Sequence, residues 1–294
     1  MSPRWRDVPR AIACAALAWL VIGALRGEIS AHIVVGFAVL GLLPLGLALS
    51  LENGTDTQED DVPLAYRLCV TMMPGLLLGG FFLFWGGPGT LPATMAAGAI
   101  AWFSLCAALL GLQRWMRRER KGGPELAIDF ALWMLPFAAL WLFASRLGVT
   151  LLGVREPGVL RTAEWWLHAG FAAPLLFGAL GRHVRGKLVK PYRVATAFAC
   201  AAMPLILLGA GLQLEVIAAV LLALGMLLGA VVIAGVGWSS PGLAKPLLLV
   251  SAGALAALTA VVFLADSDWR GVLAAAFLGA GLLGASMLDA SSTK

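Results

Sequence analysis

Apolar runs of about 18 residues or longer recur along this 294-residue chain, and no other feature restricts its fold so strongly. A backbone crossing hydrocarbon must satisfy its own N–H and C=O groups, which leaves helices as the structure for runs of this length. Only 13% of the residues are charged against 61% hydrophobic, too little charge to cover a soluble domain of this size. The chain therefore reads as all-α, a single integral membrane domain over residues 1–294 built as a polytopic transmembrane bundle of about ten spans. The spans fall at 9–26, 31–51, 67–86, 91–112, 125–146, 162–181, 194–212, 215–237, 247–265 and 270–288.

Lysine and arginine set the orientation. With the N-terminus inside, the inner segments hold sixteen Lys and Arg residues and the outer segments five, the bias expected of an N-inside, C-inside bundle. The formal charge of +5 is then a matter of insertion, and no nucleic-acid partner is implied. Arg4, Arg6 and Arg10 precede the first apolar run without a convincing cleavage site after it, so that run is read as a retained span. The acidic loop 52–66 falls inside and reads as a connector. Cys14, Cys69, Cys106 and Cys200 stand singly in apolar segments, as small core residues do. Pro44, Pro74, Pro136, Pro174 and Pro204 fall inside spans and should kink them. Gly225 with Gly229, and Gly281 with Gly284, are placed for close helix approach.

Few polar groups stand at membrane depth, and these are the candidate site residues. Glu164 and His168 are four apart at the start of the sixth span, hence on one helix face. Glu164 has a plain reading as a first-turn acid at the positive end of the helix dipole, with His168 as its partner. Trp165 and Trp166 between them read as belt anchors. Arg146, at the outer end of the fifth span, either snorkels to headgroups or pairs with Glu164. His32 opens the second span on the same side and would complete a two-histidine, one-carboxylate set only if the second and sixth spans touch. Asp129, one turn after Glu125, is explained by the start of its helix. His183 lies in an inner basic loop with Arg182, Arg185, Lys187, Lys190 and Arg193, suited to anionic lipid. No phosphate loop, nucleophile elbow or zinc-protease helix occurs. No catalytic residue, metal or cofactor is assigned.

One resemblance stands on these residues. Trp141-Leu142-Phe143-Ala144-Ser145-Arg146-Leu147-Gly148, Leu152-Gly153, Glu156-Pro157, Thr162-Ala163, Ala169-Gly170-Phe171, Pro174-Leu175 and Gly178 follow the pattern of the YndJ-like bacterial membrane proteins. Leu43-Pro44-Leu45-Gly46-Leu47, Met203-Pro204-Leu205 and Gly209 extend it over most of the chain. The chain departs from that pattern where the family carries a His-Phe-His-Tyr run: Trp165 and Leu167 replace the two histidines and His168 the tyrosine. Chemistry resting on the histidine pair does not carry over. The resemblance implies a multi-pass protein of the bacterial cytoplasmic membrane, and a transporter from the label some members bear.

The expected function is a multi-pass membrane protein that transports a small solute or lipid through an outer-facing polar site of Glu164, His168, Arg146 and His32. Its expected partners are membrane lipids and a small-molecule substrate. The alternative is a non-transporting assembly factor or lipid-binding scaffold, and behind it a metal-dependent membrane enzyme.

Overall fold

The computed structural model describes residues 35–50, 64–83, 87–118, 123–211, 215–262 and 269–292. The expected span 9–26, Cys14, His32 and the acids of loop 52–66 lie outside them. Among the described residues the chain is helical without strands, and one pair of extended residues, Leu151 and Val154, bridges within a tight turn.

The helices are α1 (Val35–Ser50), α2 (Leu64–Phe82), α3 (Leu91–Arg117), α4 (Pro124–Leu147), α5 (Gly158–Trp165), α6 (Ala173–Gly181), α7 (Val189–Gly211), α8 (Glu215–Ser239), α9 (Ala244–Val262) and α10 (Trp269–Ser292). Each overlies an expected apolar run. Among the described residues three stretches are long and apolar enough to cross a membrane: α3, α4 and Val220–Ser239 of α8. Val35–Ser50, Ala244–Thr259 and Phe277–Leu288 are shorter apolar helical stretches.

The prolines act in two ways. Pro74, Pro136 and Pro204 sit within continuous helices. Pro44 and Pro174 instead follow π-helical runs, Ala38–Leu42 and Trp166–Ala172. A proline ring clashes with the carbonyl four residues back and offers it no N–H. Those carbonyls belong to Leu40 and Gly170, each inside its π run, so the backbone widens there and keeps a continuous path.

The chain forms two compact units, residues 1–121 with 132–167, and residues 122–131 with 168–294. In the first, α1 packs on α2 and α2 on α3. Gly79 of α2 faces Ala96 of α3, and a Cβ there would lie in ordinary contact, 3.6 Å from the Ala96 carbonyl oxygen. Trp115 of α3 meets Trp133 of α4 edge to face, centroids 6.1 Å apart.

In the second unit, α6, α7, α8, α9 and α10 pack each on the next, and α10 returns to α6, closing a ring. The paired glycines lie in these contacts, but they receive side chains rather than backbone. Gly225 faces Phe198, Gly229 faces Phe177 and Leu255, Gly281 faces Leu176, and Gly284 faces Leu248. In lipid this fit, rather than exclusion of water, holds helices together. The Ser251 hydroxyl adds a buried hydrogen bond to the Phe277 carbonyl at 2.7 Å, tying α9 to α10.

Candidate functional site

In the first unit the site begins with how α4 stops. Gly148 adopts φ +69°; its N–H donates to the Ser145 carbonyl at 3.1 Å, and that of Val149 to the Ala144 carbonyl at 3.1 Å. This is the Schellman closure, which needs a left-handed residue after the helix and so favours glycine. The Arg146 carbonyl takes its bond from elsewhere. The Gly89 N–H donates to it at 2.7 Å and the Thr94 hydroxyl at 3.4 Å. The loop before α3 therefore fixes the backbone of Arg146.

The Arg146 side chain is 1% exposed and Ser145 is fully buried. Its Nη2 donates to the Ser145 hydroxyl at 2.9 Å, and the Glu156 carboxylate supplies an attractive charge. Arg146 is folded into its unit and does not snorkel outward. A guanidinium packed this way carries several donors in a fixed plane and suits an anionic oxygen ligand.

Glu164 is half-buried on α5, in the field of the exposed Arg161. Since α5 begins at Gly158, Glu164 is its seventh residue and not a first-turn acid. The dipole reading is thereby corrected. The cause is the Arg155-to-Gly158 turn, whose N–H···O bond of 2.8 Å starts the helix four residues before the expected span. Trp165 is 43% exposed, as an anchor would be, whereas Trp166 is 6% exposed and stacks on Phe137 with centroids 5.2 Å apart. Trp166 is a core residue.

His168, in the second unit, is 5% exposed within the π run. His32 lies outside the described residues. Arg146 and Glu164 are thus the two expected site residues described within one unit. Among the described residues no group of three or more His, Cys, Asp and Glu is gathered as a metal site.

The second unit holds a polar cluster that sequence reasoning passed over. Arg182, capping the C-terminal end of α6, grips Glu125 in the first turn of α4 with two bonds, Nε to Oε1 at 2.6 Å and Nη2 to Oε2 at 3.0 Å. Each charge also opposes its own helix dipole end. Asp129, one turn along, is fully buried, so an exposed helix start does not explain it. Tyr192 is 6% exposed, and burial pushes its phenol up to about 12. Gly178 and Gly181 make room: a Cβ at Gly178 would lie 2.5 Å from Ile128 Cγ1 and 2.8 Å from the Pro124 carbonyl oxygen. The available signal was the four-residue spacing of Glu125 and Asp129 beside an apolar run, with Arg182 closing another.

No curated protein and no solved structure matches this chain. The model of the YndJ-like protein family matches residues 33–274, which takes in Trp141 to Gly148, the α5 to α6 segment and the Gly225 and Gly229 pair. With most of its length matched, the chain belongs to the YndJ-like family.

Proposed function

We propose that the chain is a ten-span protein of the bacterial cytoplasmic membrane, N-inside and C-inside, that binds and carries a small anionic solute or lipid headgroup. The site lies on the first unit, with Arg146 as the anion-holding group and Glu164 as the second polar residue. The observation that carries this reading is the 1% exposure of Arg146 at the end of a helix apolar enough to cross a membrane. Burying a guanidinium is costly, and intramembrane cations cluster at ligand paths.

Two measurements test it. The full chain should stay with membranes through alkaline carbonate extraction, as an integral protein does. In thermal-shift screening against inorganic phosphate and small carboxylates, a ligand should stabilise the native chain. That response should vanish in Arg146→Gln and weaken in Glu164→Gln. His168→Ala serves as the comparison from the other unit. Unchanged responses in both variants would end the site reading.

A second reading, a lipid-binding scaffold, is favoured by a cleft between α2 and α3. It has a volume of about 170 Å³ and is lined by Thr71, Met72, Gly75, Leu76, Ala99 and Phe103, which suits an acyl chain better than an ion.

A further inference from the structure

Between Glu164 and Glu215 the sequence has no acidic residue, yet Arg182, Arg185, Lys187, Lys190 and Arg193 fall in that interval. Arg182 is neutralised by Glu125. The other four are exposed. The turn that carries them is folded against a neighbour. Gly186 adopts φ +62° and opens the 3-10 turn Gly186–Leu188, and Leu188 packs where a Cβ on Gly235 would be, 2.8 Å from its Cδ1.

Gly235 lies three residues before Trp238, so this contact sets the basic turn beside the last turn of α8. Trp238 is 72% exposed and Leu243 is 70% exposed. Lys245, at the start of α9, holds its Nζ 4.7 Å from the Trp238 ring centroid. The carbonyl end of α8 adds attraction for cations. Exposed indole, exposed leucine and a cluster of cations thus share one end of the five-helix unit.

We propose that this end is a docking surface for anionic phospholipid, with Arg185, Lys187, Lys190, Arg193 and Lys245 on the phosphates and Trp238 in the headgroup layer. The mixture of chemistries selects a lipid over a soluble polyanion. An indole with an apolar body and a polar N–H suits the membrane boundary, and the apolar stretch Val220–Ser239 ends there. Basic clusters beside such helix ends gain from the negative surface potential of an anionic leaflet. This surface rests on the membrane reading above, which carbonate extraction tests by itself.

The experiment titrates the purified full chain in mild detergent with phosphatidylglycerol or phosphatidylcholine and reads thermal stability. Phosphatidylglycerol should stabilise the chain by several degrees more than phosphatidylcholine, and rising salt should shrink the difference. Lys187→Ala/Lys190→Ala/Lys245→Ala should lose at least half of that difference, while the matching triple arginine variant keeps it. Equal responses to the two lipids, or a full response in the alanine variant, overturn the proposal. So does stronger stabilisation by an oligonucleotide or polyglutamate than by phosphatidylglycerol. Should the alanine variant fail to fold, the lipid comparison in the native chain and in the arginine variant still decides.

Discussion

Breaking the Glu125–Arg182 pair is the sharpest test of the second unit. The side chains are 21% and 10% exposed, between a solvated pair, worth about 0–1 kcal/mol, and a fully buried one, whose single-sided loss costs about 3–5 kcal/mol. Two charge-assisted bonds at 2.6 and 3.0 Å put Glu125→Gln at about 2 kcal/mol and Arg182→Gln at about 2–3 kcal/mol. Each single variant takes one partner from a partly buried charge, but the double variant removes both charges. It should cost about 3 kcal/mol, leaving a coupling of about 1–2 kcal/mol.

The swapped pair, Glu125→Arg/Arg182→Glu, separates contact from field. It restores opposite charges at the same two places but puts a cation in the first turn of α4 and an anion at the C-cap of α6. Each reversal costs about 0.3–1 kcal/mol against the dipoles, so the swap should recover only part of the loss. Thermal unfolding in mild detergent, at one scan rate, gives the comparison. A loss of 2 kcal/mol should lower the midpoint by roughly 4–8 °C. Additivity of the two single variants to within about 0.5 kcal/mol, or a swap as stable as the native chain, would refute the reasoning.

Other expected outcomes follow from single contacts. Gly178→Ala pushes a methyl into Ile128 and the Pro124 carbonyl and should cost about 1–3 kcal/mol in the same assay; an unchanged midpoint would mean that this contact is loose. Gly148→Ala forces a Cβ into φ +69° and should cost about 1–2 kcal/mol, with Gly148→Asn milder because asparagine tolerates that region. The chain has two tyrosines. Ultraviolet titration of the folded protein, compared with that of Tyr192→Phe, should show that the phenol lost in the variant is one that stays un-ionised past about pH 11. Because burial raises the Tyr192 phenol from 10.0 to about 12, its contribution to stability is full below pH 10 and is lost as pH rises through that window.

The positions of the helices were legible because continuous apolar runs bounded by Arg, Gly and Pro leave no other regular structure. Where the sequence reading failed, the cause was local geometry or tertiary fit. The widening before Pro174 depends on whether the backbone kinks or adds a residue to the turn, a choice that a proline in an apolar run does not specify. Glu164 looked like a first-turn acid because Arg161 separates Val159 and Leu160 from the apolar run that follows. Trp165 and Trp166 have one composition and two fates, since burial follows helix phase and the position of Phe137. Asp129 was dismissed because its spacing from Glu125 fitted a helix start; only the packed neighbours show it withdrawn from solvent. The approach of Arg182 to Glu125 bridges 57 residues, which no spacing rule reads.

Helix α4 acts as a ruler for the membrane reading. Glu125 and Arg146 stand near its two ends, 21 residues apart by number, which is about 32 Å along the axis, close to the roughly 30 Å of a hydrocarbon core. From Phe130 to Ala144 the helix has no charged residue and no Ser, Thr, Asn or Gln. Asp129 is the exception, lying one turn in from Glu125, and it is the residue that is fully buried. A water-facing helix could place such an acid on its solvent side at no cost. A helix bathed in lipid has no such side, so an acid at that depth must turn into the protein. The full burial of Asp129 agrees with that second rule. Asp129→Asn should therefore be better tolerated than Asp129→Leu, because the amide keeps hydrogen-bonding capacity where leucine leaves neighbouring polar groups unsatisfied. The reverse order, read as thermal stability in detergent, would count against a polar environment around this residue and against the ruler with it.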